Sequence, residues 1–288
     1  MVIKTTEDIR NSLTELNLDG DTVLVKPNWV AGMPGGFTDA KIIDWVLTAL
    51  EGKKVIFIES YAFWRTDKKV HGGADYFSSR EATLKTGKQH WDHFQKMDRW
   101  FLDFSGIKRV LAKHGAEYLN VTNEVWAERT ADPNLIRLAT EGKFGRIKHE
   151  ELYGYVPERL WQLRGAPLLS LAKAKYDLSY GASLSIKNMF GLIPDPSRYV
   201  KYHGKDETGL VQSIIDINRV YQAVFECKYI AESVFETCVM DWDSETSERK
   251  PGSGMWIAGN DGAEVDMEAL EVMGAKFEGT MAGLLNAM

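Results

Sequence analysis

The sequence predicts an α/β fold, a mostly parallel sheet with helices on both faces and a tryptophan-rich insertion. Three observations carry that prediction. Residues 22–26 (TVLVK) and 55–59 (VIFIE) are short apolar, β-branched runs with the length of strands buried on both faces. Between them Ile42, Ile43, Val46, Leu47 and Leu50 recur at helical spacing behind a Thr38-Asp39 cap, which makes a βαβ unit. After a polar and aromatic interruption the alternation resumes, with a helix over 106–114 and a strand over 117–121. A chain of 288 residues can bury a full core, so 1–288 reads as one α/β domain with 61–100 as an insertion or lid within it.

The elements follow in order. Thr6 or Asp8 caps a first helix with Ile9, Leu13 and Leu16 on its inner side, and Asp19-Gly20-Asp21 turns the chain into the first strand. That strand ends in Lys26-Pro27-Asn28 and runs into a glycine-bearing loop containing Gly35 and Gly36. Strand, glycine loop and capped helix together make an anion cradle, because free backbone N–H groups and the helix dipole face the loop. The spacing matches neither the Walker pattern nor G-x-G-x-x-G. Residues 61–100 interleave aromatics with charges rather than setting them in one periodic face, which predicts a lid or a partner surface over the sheet. His90 and His93 lie three apart there, without a third ligand at a recognised spacing, so no metal site is assigned.

Between 124 and 163 the signals are mixed: 146–149 reads as a strand and the rest as loop. Residues 168–171 begin another apolar run, followed by Lys173 and Lys175 at strand spacing on one face. The central stretch, 183–203 (SLSIKNMFGLIPDPSRYVKYH), sets Ile186, Met189, Phe190 and Ile193 at helical spacing and so carries Lys187 and Asn188 to the border of the core. A cation at that border calls for an anion. An apolar helix over 210–225, strands near 238–241 and 256–258, and a helix over 263–273 capped by Asn260-Asp261 and closed by Gly274 complete the chain.

Composition narrows the function classes. Lys and Arg number 35 against 41 Asp and Glu, a net charge of −6, which leaves no broad basic surface for nucleic acid or anionic lipid. Cys227 and Cys238 are the only cysteines, which excludes a four-cysteine zinc or iron–sulfur site and fits a reduced, cytoplasmic setting. The N-terminus has no apolar signal region, and no stretch approaches ~18 uninterrupted apolar residues, so neither export by that route nor membrane spanning is expected.

Lys26-Pro27-Asn28, Thr38-Asp39, Lys173 or Lys175, residues 184–194, His203, Asp241 and the 260–266 block, in that order, resemble the family called domain of unknown function 362. Its members typically show a strand ending in K-P-N, a T-D-P-like cap, a lysine before a run close to L-S-L-K-N-x-F-G-x-x-P, a later histidine and a terminal R-D-P-x-A-x-D block. Asn260 stands here where the family usually has arginine, and Gly262 where it has proline. The resemblance implies the α/β fold and the position of the site, and brings no general biochemical role. Many relatives carry a cysteine-rich, ferredoxin-like segment, which implies redox roles for them. Two cysteines cannot supply that cluster, so any electrons would come from a separate redox partner or a cofactor.

The functional expectation is a cytoplasmic enzyme of small-molecule metabolism acting on an anionic substrate that bears carboxylate or phosphate. Lys26 and Lys187 bind the anion and face one pocket, or act as bases where desolvation lowers their pKa; His203, Asp39 and Glu59 are the proton-transfer candidates. Asn28, Gly35, Gly36, Thr38, Lys173, Lys175, Asn188 and Asp261 line the substrate site. The alternative is a non-catalytic cofactor-binding or redox-accessory protein without its own cluster. The sequence assigns neither reaction type nor cofactor, and both a homo-oligomer and a separate redox partner fit it.

Overall fold

The computed structural model describes residues 1–30, 32–33, 35–62, 65, 87–178, 180–194, 198–202, 207–241 and 246–287. His203 lies outside them, as do 63–64 and 66–86 of the expected insertion. Along the chain run α1 (Thr6–Glu15), β1 (Thr22–Pro27), α2 (Ala40–Ala49), β2 (Lys54–Glu59), α3 (Trp91–Phe104), α4 (Ile107–His114), β3 (Glu117–Asn120), α5 (Val121–Trp126) and α6 (Pro133–Phe144). There follow β4 (Pro167–Lys173), β5 (Lys175–Asp177), β6 (Gly181–Ser183), α7 (Ser185–Asn188), α8 (Glu207–Val224), β7 (Glu226–Ser233), β8 (Glu236–Asp241), β9 (Thr246–Pro251), β10 (Met255–Gly259), α9 (Gly262–Met273) and α10 (Gly279–Ala287).

Six strands form one sheet in the order β10-β7-β4-β1-β2-β3, parallel except for β10. The strand period of two divides the apolar residues between its faces. Val23, Val25, Val55 and Phe57 face α1, α2, α3 and α4, while Leu24, Ile56, Ile58 and Leu168 face α6 and α8. Burial on both sides explains why β1 and β2 read as continuous apolar runs. A second sheet, β6-β5-β8-β9, starts where β4 passes into β5 across Ala174. At that crossing the Ala174 amide donates to Glu232 O at 2.8 Å.

Several sequence expectations change here. Residues 146–149 form no strand, because the carboxylate of buried Asp216 accepts from the amides of Lys148 (3.1 Å) and His149 (2.9 Å) in place of a sheet partner. The stretch expected to be loop contains α6, started by the Asp132 cap and Pro133, a sequence signal that the tryptophans nearby obscured. The end of the expected lid is core: Phe94, Met97 and Phe101 recur at helical spacing on α3, and Phe101 packs on Trp29 and Phe37 with ring centroids 6.2 and 5.2 Å apart. The central stretch is no continuous helix but one turn, α7, passing into a 3₁₀ turn at Met189–Leu192.

Candidate functional site

The carboxyl ends of β1, β2 and β4 deliver Lys26, Glu59 and Lys173 to one edge of the sheet, where open α/β sheets place their ligand sites. All three are buried, and Lys175, the first residue of β5, is only 3% exposed. Burying an ammonium requires compensation, so the partner of each lysine defines its role.

Lys26 Nζ pairs with Glu59 Oε2 at 2.8 Å and also donates to Pro27 O (2.6 Å) and Asn188 Oδ1 (3.3 Å). Glu59 further accepts from the amides of Trp29 (3.1 Å) and Ser60 (3.0 Å). Burial lowers the Lys26 pKa to about 8 although Glu59 opposes the shift. The 3₁₀ turn after α7 lies against this pair, since a Cβ on Gly191 would stand 2.7 Å from both Glu59 Oε1 and Lys26 Nζ.

Lys173 Nζ lies 2.7 Å from Glu232 Oε1 and 3.4 Å from Asp39 Oδ2. The Glu232 contact is an ion pair outside hydrogen-bond geometry. Burial acts to lower the Lys173 pKa, and Glu232 with Asp39 outweighs it, so the pKa is raised and the amine stays charged. Burial also raises the Glu232 carboxyl, with Lys173 opposing.

Lys175 differs from both. Its Nζ donates to Asn28 Oδ1 at 2.8 Å and Gly36 O at 2.7 Å, two neutral oxygens, and forms no ion pair with a described carboxylate. Burial lowers its pKa to about 8; Cys238 and Asp177 act to raise it, and Lys187 and Lys173 to lower it further.

Asparagine amides join these lysines. Asn28 Nδ2 donates to Asn188 Oδ1 (3.1 Å), which also receives Lys26, while Asn188 Nδ2 donates to Lys26 O (2.9 Å) and Ser170 Oγ (3.1 Å). Asn188 is placed by α7, whose first amides, Ser185 N (2.8 Å) and Ile186 N (3.0 Å), donate to the carboxylate of Asp266. Burial raises the Asp266 pKa to about 7 against those hydrogen bonds. On its other side Glu59 lies 3.8 Å from the guanidinium of buried Arg65, which pairs with Asp98 of α3 and donates to Trp29 O and Ser60 O.

Other expected site residues have structural duties. The Gly35 amide donates to Glu236 Oε1 (3.1 Å) and the Gly36 amide to Met33 O (2.9 Å), so these two amides of the expected anion cradle are occupied by the protein itself. Gly35 has φ 75° and sits where a Cβ would fall 2.3 Å from Thr237 O, which only glycine permits. Thr38 is buried, accepting from the Asn28 amide (2.9 Å) and donating to Leu171 O (3.3 Å). Asp39 caps α2 through the amides of Lys41 and Ile42. Asp261 is exposed and caps α9, accepting from Ala263 N (2.7 Å) and Glu264 N (3.2 Å), whereas Asp266 of the same block reaches the site through α7. The partner of Lys26 in the central stretch is Asn188 rather than Lys187, because the one-turn helix turns Asn188 inward. Lys187 is half-buried, its Nζ 5.4 Å from the centre of the Tyr180 ring.

Sequence reading missed Glu232, Arg65, Asp98 and the capping role of Asp266. Only Asp266 carried a signal, as the last acid of the terminal block. Among curated proteins and among solved structures, none matches the chain. The family model described as Domain of unknown function (DUF362) matches residues 23–271, which takes in β1 with Lys26, the glycine loop, α7 and Asp266. Through that match the chain belongs to the DUF362 family.

Proposed function

We propose that the protein is an enzyme that binds a small anionic metabolite, bearing carboxylate or phosphate, beside Lys175, and uses that amine to hold the anion and exchange a proton with it. The observation behind this reading is the imbalance among the three buried lysines: Lys26 and Lys173 have carboxylate partners, and Lys175 has only the neutral oxygens of Asn28 and Gly36. A substrate anion would supply the missing counter-charge. With a pKa near 8 the amine gives up a proton close to neutral pH, as a general acid or base must. Half-buried Lys187, whose charge acts on Lys175, would form the outer side of the site, and the Asn28–Asn188 link would orient the amine. Lys26–Glu59 and Lys173–Glu232 then serve as fixed flanking pairs.

A panel of small carboxylates and phosphate monoesters, titrated calorimetrically and followed by mass spectrometry for conversion, tests this. Wild type should bind and convert at least one member. Lys175→Met should lower turnover by about 10²-fold or more, the usual share of a general acid or base. Anion binding and turnover that are indifferent to Lys175→Met would overturn the assignment. Binding lost in that variant with no conversion by wild type would leave the cofactor-binding or accessory reading instead.

A further inference from the structure

On the far side of Arg65 from the lysines, a second, open cleft of about 240 Å³ lies along the edge strand β3, between α3 and α5. Its volume falls below the ~300–1,000 Å³ of sites that take drug-sized ligands, so it suits a small molecule. Tyr61, Gln95, Arg99, Tyr118, Asn120 and Asn123 supply most of its polar lining.

Two features give the cleft a sign. Asn123 Oδ1 accepts three donors, Trp91 Nε1 (2.7 Å), Gln95 Nε2 (3.2 Å) and the Tyr61 hydroxyl (3.3 Å). That network fixes which end of the amide is oxygen, and it leaves Nδ2 with no acceptor among the described residues. The charges are also unequal. Asp98 is paired with Arg65, Glu124 with Arg129 (2.7 Å) and Arg159 with Glu117, whereas Arg99 has no carboxylate partner among the described residues. The cleft therefore offers one guanidinium without a carboxylate and one pre-oriented amide N–H₂ without an acceptor among the described residues, and donors of that kind hold oxyanions.

We propose that this cleft is a second binding site, distinct from the lysine cluster, for a small ligand that presents a carboxylate or phosphate to Arg99 and Asn123. The full chain is titrated calorimetrically with inorganic phosphate and, separately, with succinate. At least one probe should bind at a site that persists in Lys175→Met, whatever else binds among the lysines. Phosphate alone, succinate alone or both binding would tell which oxyanion the site prefers. Arg99→Gln alters only an exposed side chain, and Asn123→Asp keeps the oxygen that the three donors need while replacing the free donor by an acceptor. Each should weaken binding at least about tenfold, the loss of one charge-assisted hydrogen bond, and Lys175→Met should leave it unchanged. Three results would overturn the proposal: no saturation by either probe below about 10 mM, weaker than the millimolar class; binding in the Lys175→Met background that survives both substitutions; or binding lost in Lys175→Met and untouched by Arg99→Gln, which places the anion among the lysines.

Discussion

Lys173 and Lys175, two residues apart, are held by opposite means: Lys173 by the carboxylates of Glu232 and Asp39, Lys175 by the neutral oxygens of Asn28 and Gly36. That difference makes Lys175 expensive to keep charged. A pKa of about 8 against the ordinary 10.5 means that folding disfavours the protonated amine by about 3 kcal/mol. Lys175→Met removes this cost but leaves buried Asn28 Oδ1 and Gly36 O without their donor, at about 1–3 kcal/mol each. The two effects largely offset, so the variant should stay folded with a stability within about 3 kcal/mol of wild type at pH 7, measured by urea unfolding, while losing function.

The same group gives a pH dependence with a definite sign. Between about pH 8 and the ordinary 10.5 the unfolded chain holds a proton on Lys175 that the folded protein has released, so stability contributed by this site rises with pH across that window. Below about pH 8 both states are protonated and the full cost is present. Unfolding midpoints taken from pH 7 to 10 should show a shallower rise in Lys175→Met than in wild type. Part of the slope should remain, because Lys26 shares the window.

Glu59→Gln should be strongly destabilising. It leaves Lys26 buried without its counter-charge, and breaking a buried pair from one side costs about 3–5 kcal/mol. Lys26→Met combined with Glu59→Gln should recover most of that loss. A double-mutant cycle by denaturant unfolding measures the coupling, and additive single effects would contradict it.

Asp266→Asn should loosen α7. One carboxylate oxygen accepts from Ser185 N and Oγ and the other from Ile186 N, so an amide must set N–H against N–H at one of them. The expected cost is on the order of 1–3 kcal/mol. Because α7 carries Asn188, affinity at the lysine site should fall with it, read by calorimetry with whichever anion wild type binds.

Gly191→Ala puts a methyl group 2.7 Å from both Glu59 Oε1 and Lys26 Nζ, atoms fixed by burial. Overpacking of this kind typically costs about 1–3 kcal/mol. A melting temperature equal to that of wild type would show that the 3₁₀ turn can withdraw from the pair.

The fold was legible where local signals and burial agree. β1 and β2 announce themselves as apolar runs, and α2 and α9 by Asp39 and Asp261 at their caps. The sequence around β7 hides it, because Glu226, Lys228 and Glu232 interrupt the apolar pattern; Glu232 is nevertheless fully buried, its charge set against Lys173. Site residue types were visible at strand ends, but their pairing was not. Lys26 meets Asn188 across 162 positions and Arg65 meets Asp98 across 33, and neither separation has a periodicity to betray it. The glycine loop misled because glycine suits a tight seat against another strand as well as it suits a phosphate.

The single residue between β4 and β5 marks a seam between the two sheets, pinned through its amide to Glu232 O and through its carbonyl to Thr237 Oγ1. Lys173 ends a strand of the six-stranded sheet, and Lys175 begins a strand of the four-stranded one. Each ammonium nevertheless reaches across to the other sheet, Lys173 Nζ to Glu236 O of β8 (3.1 Å) and Lys175 Nζ to Asn28 Oδ1 just past β1 (2.8 Å). The glycine loop closes the same seam, tied to β8 through Gly35 and Glu236, to Lys175 through Gly36 and to β4 through Thr38. Spacing between the two cations is then a property of how two sheets are locked against each other, so a change at the seam would reach both at once.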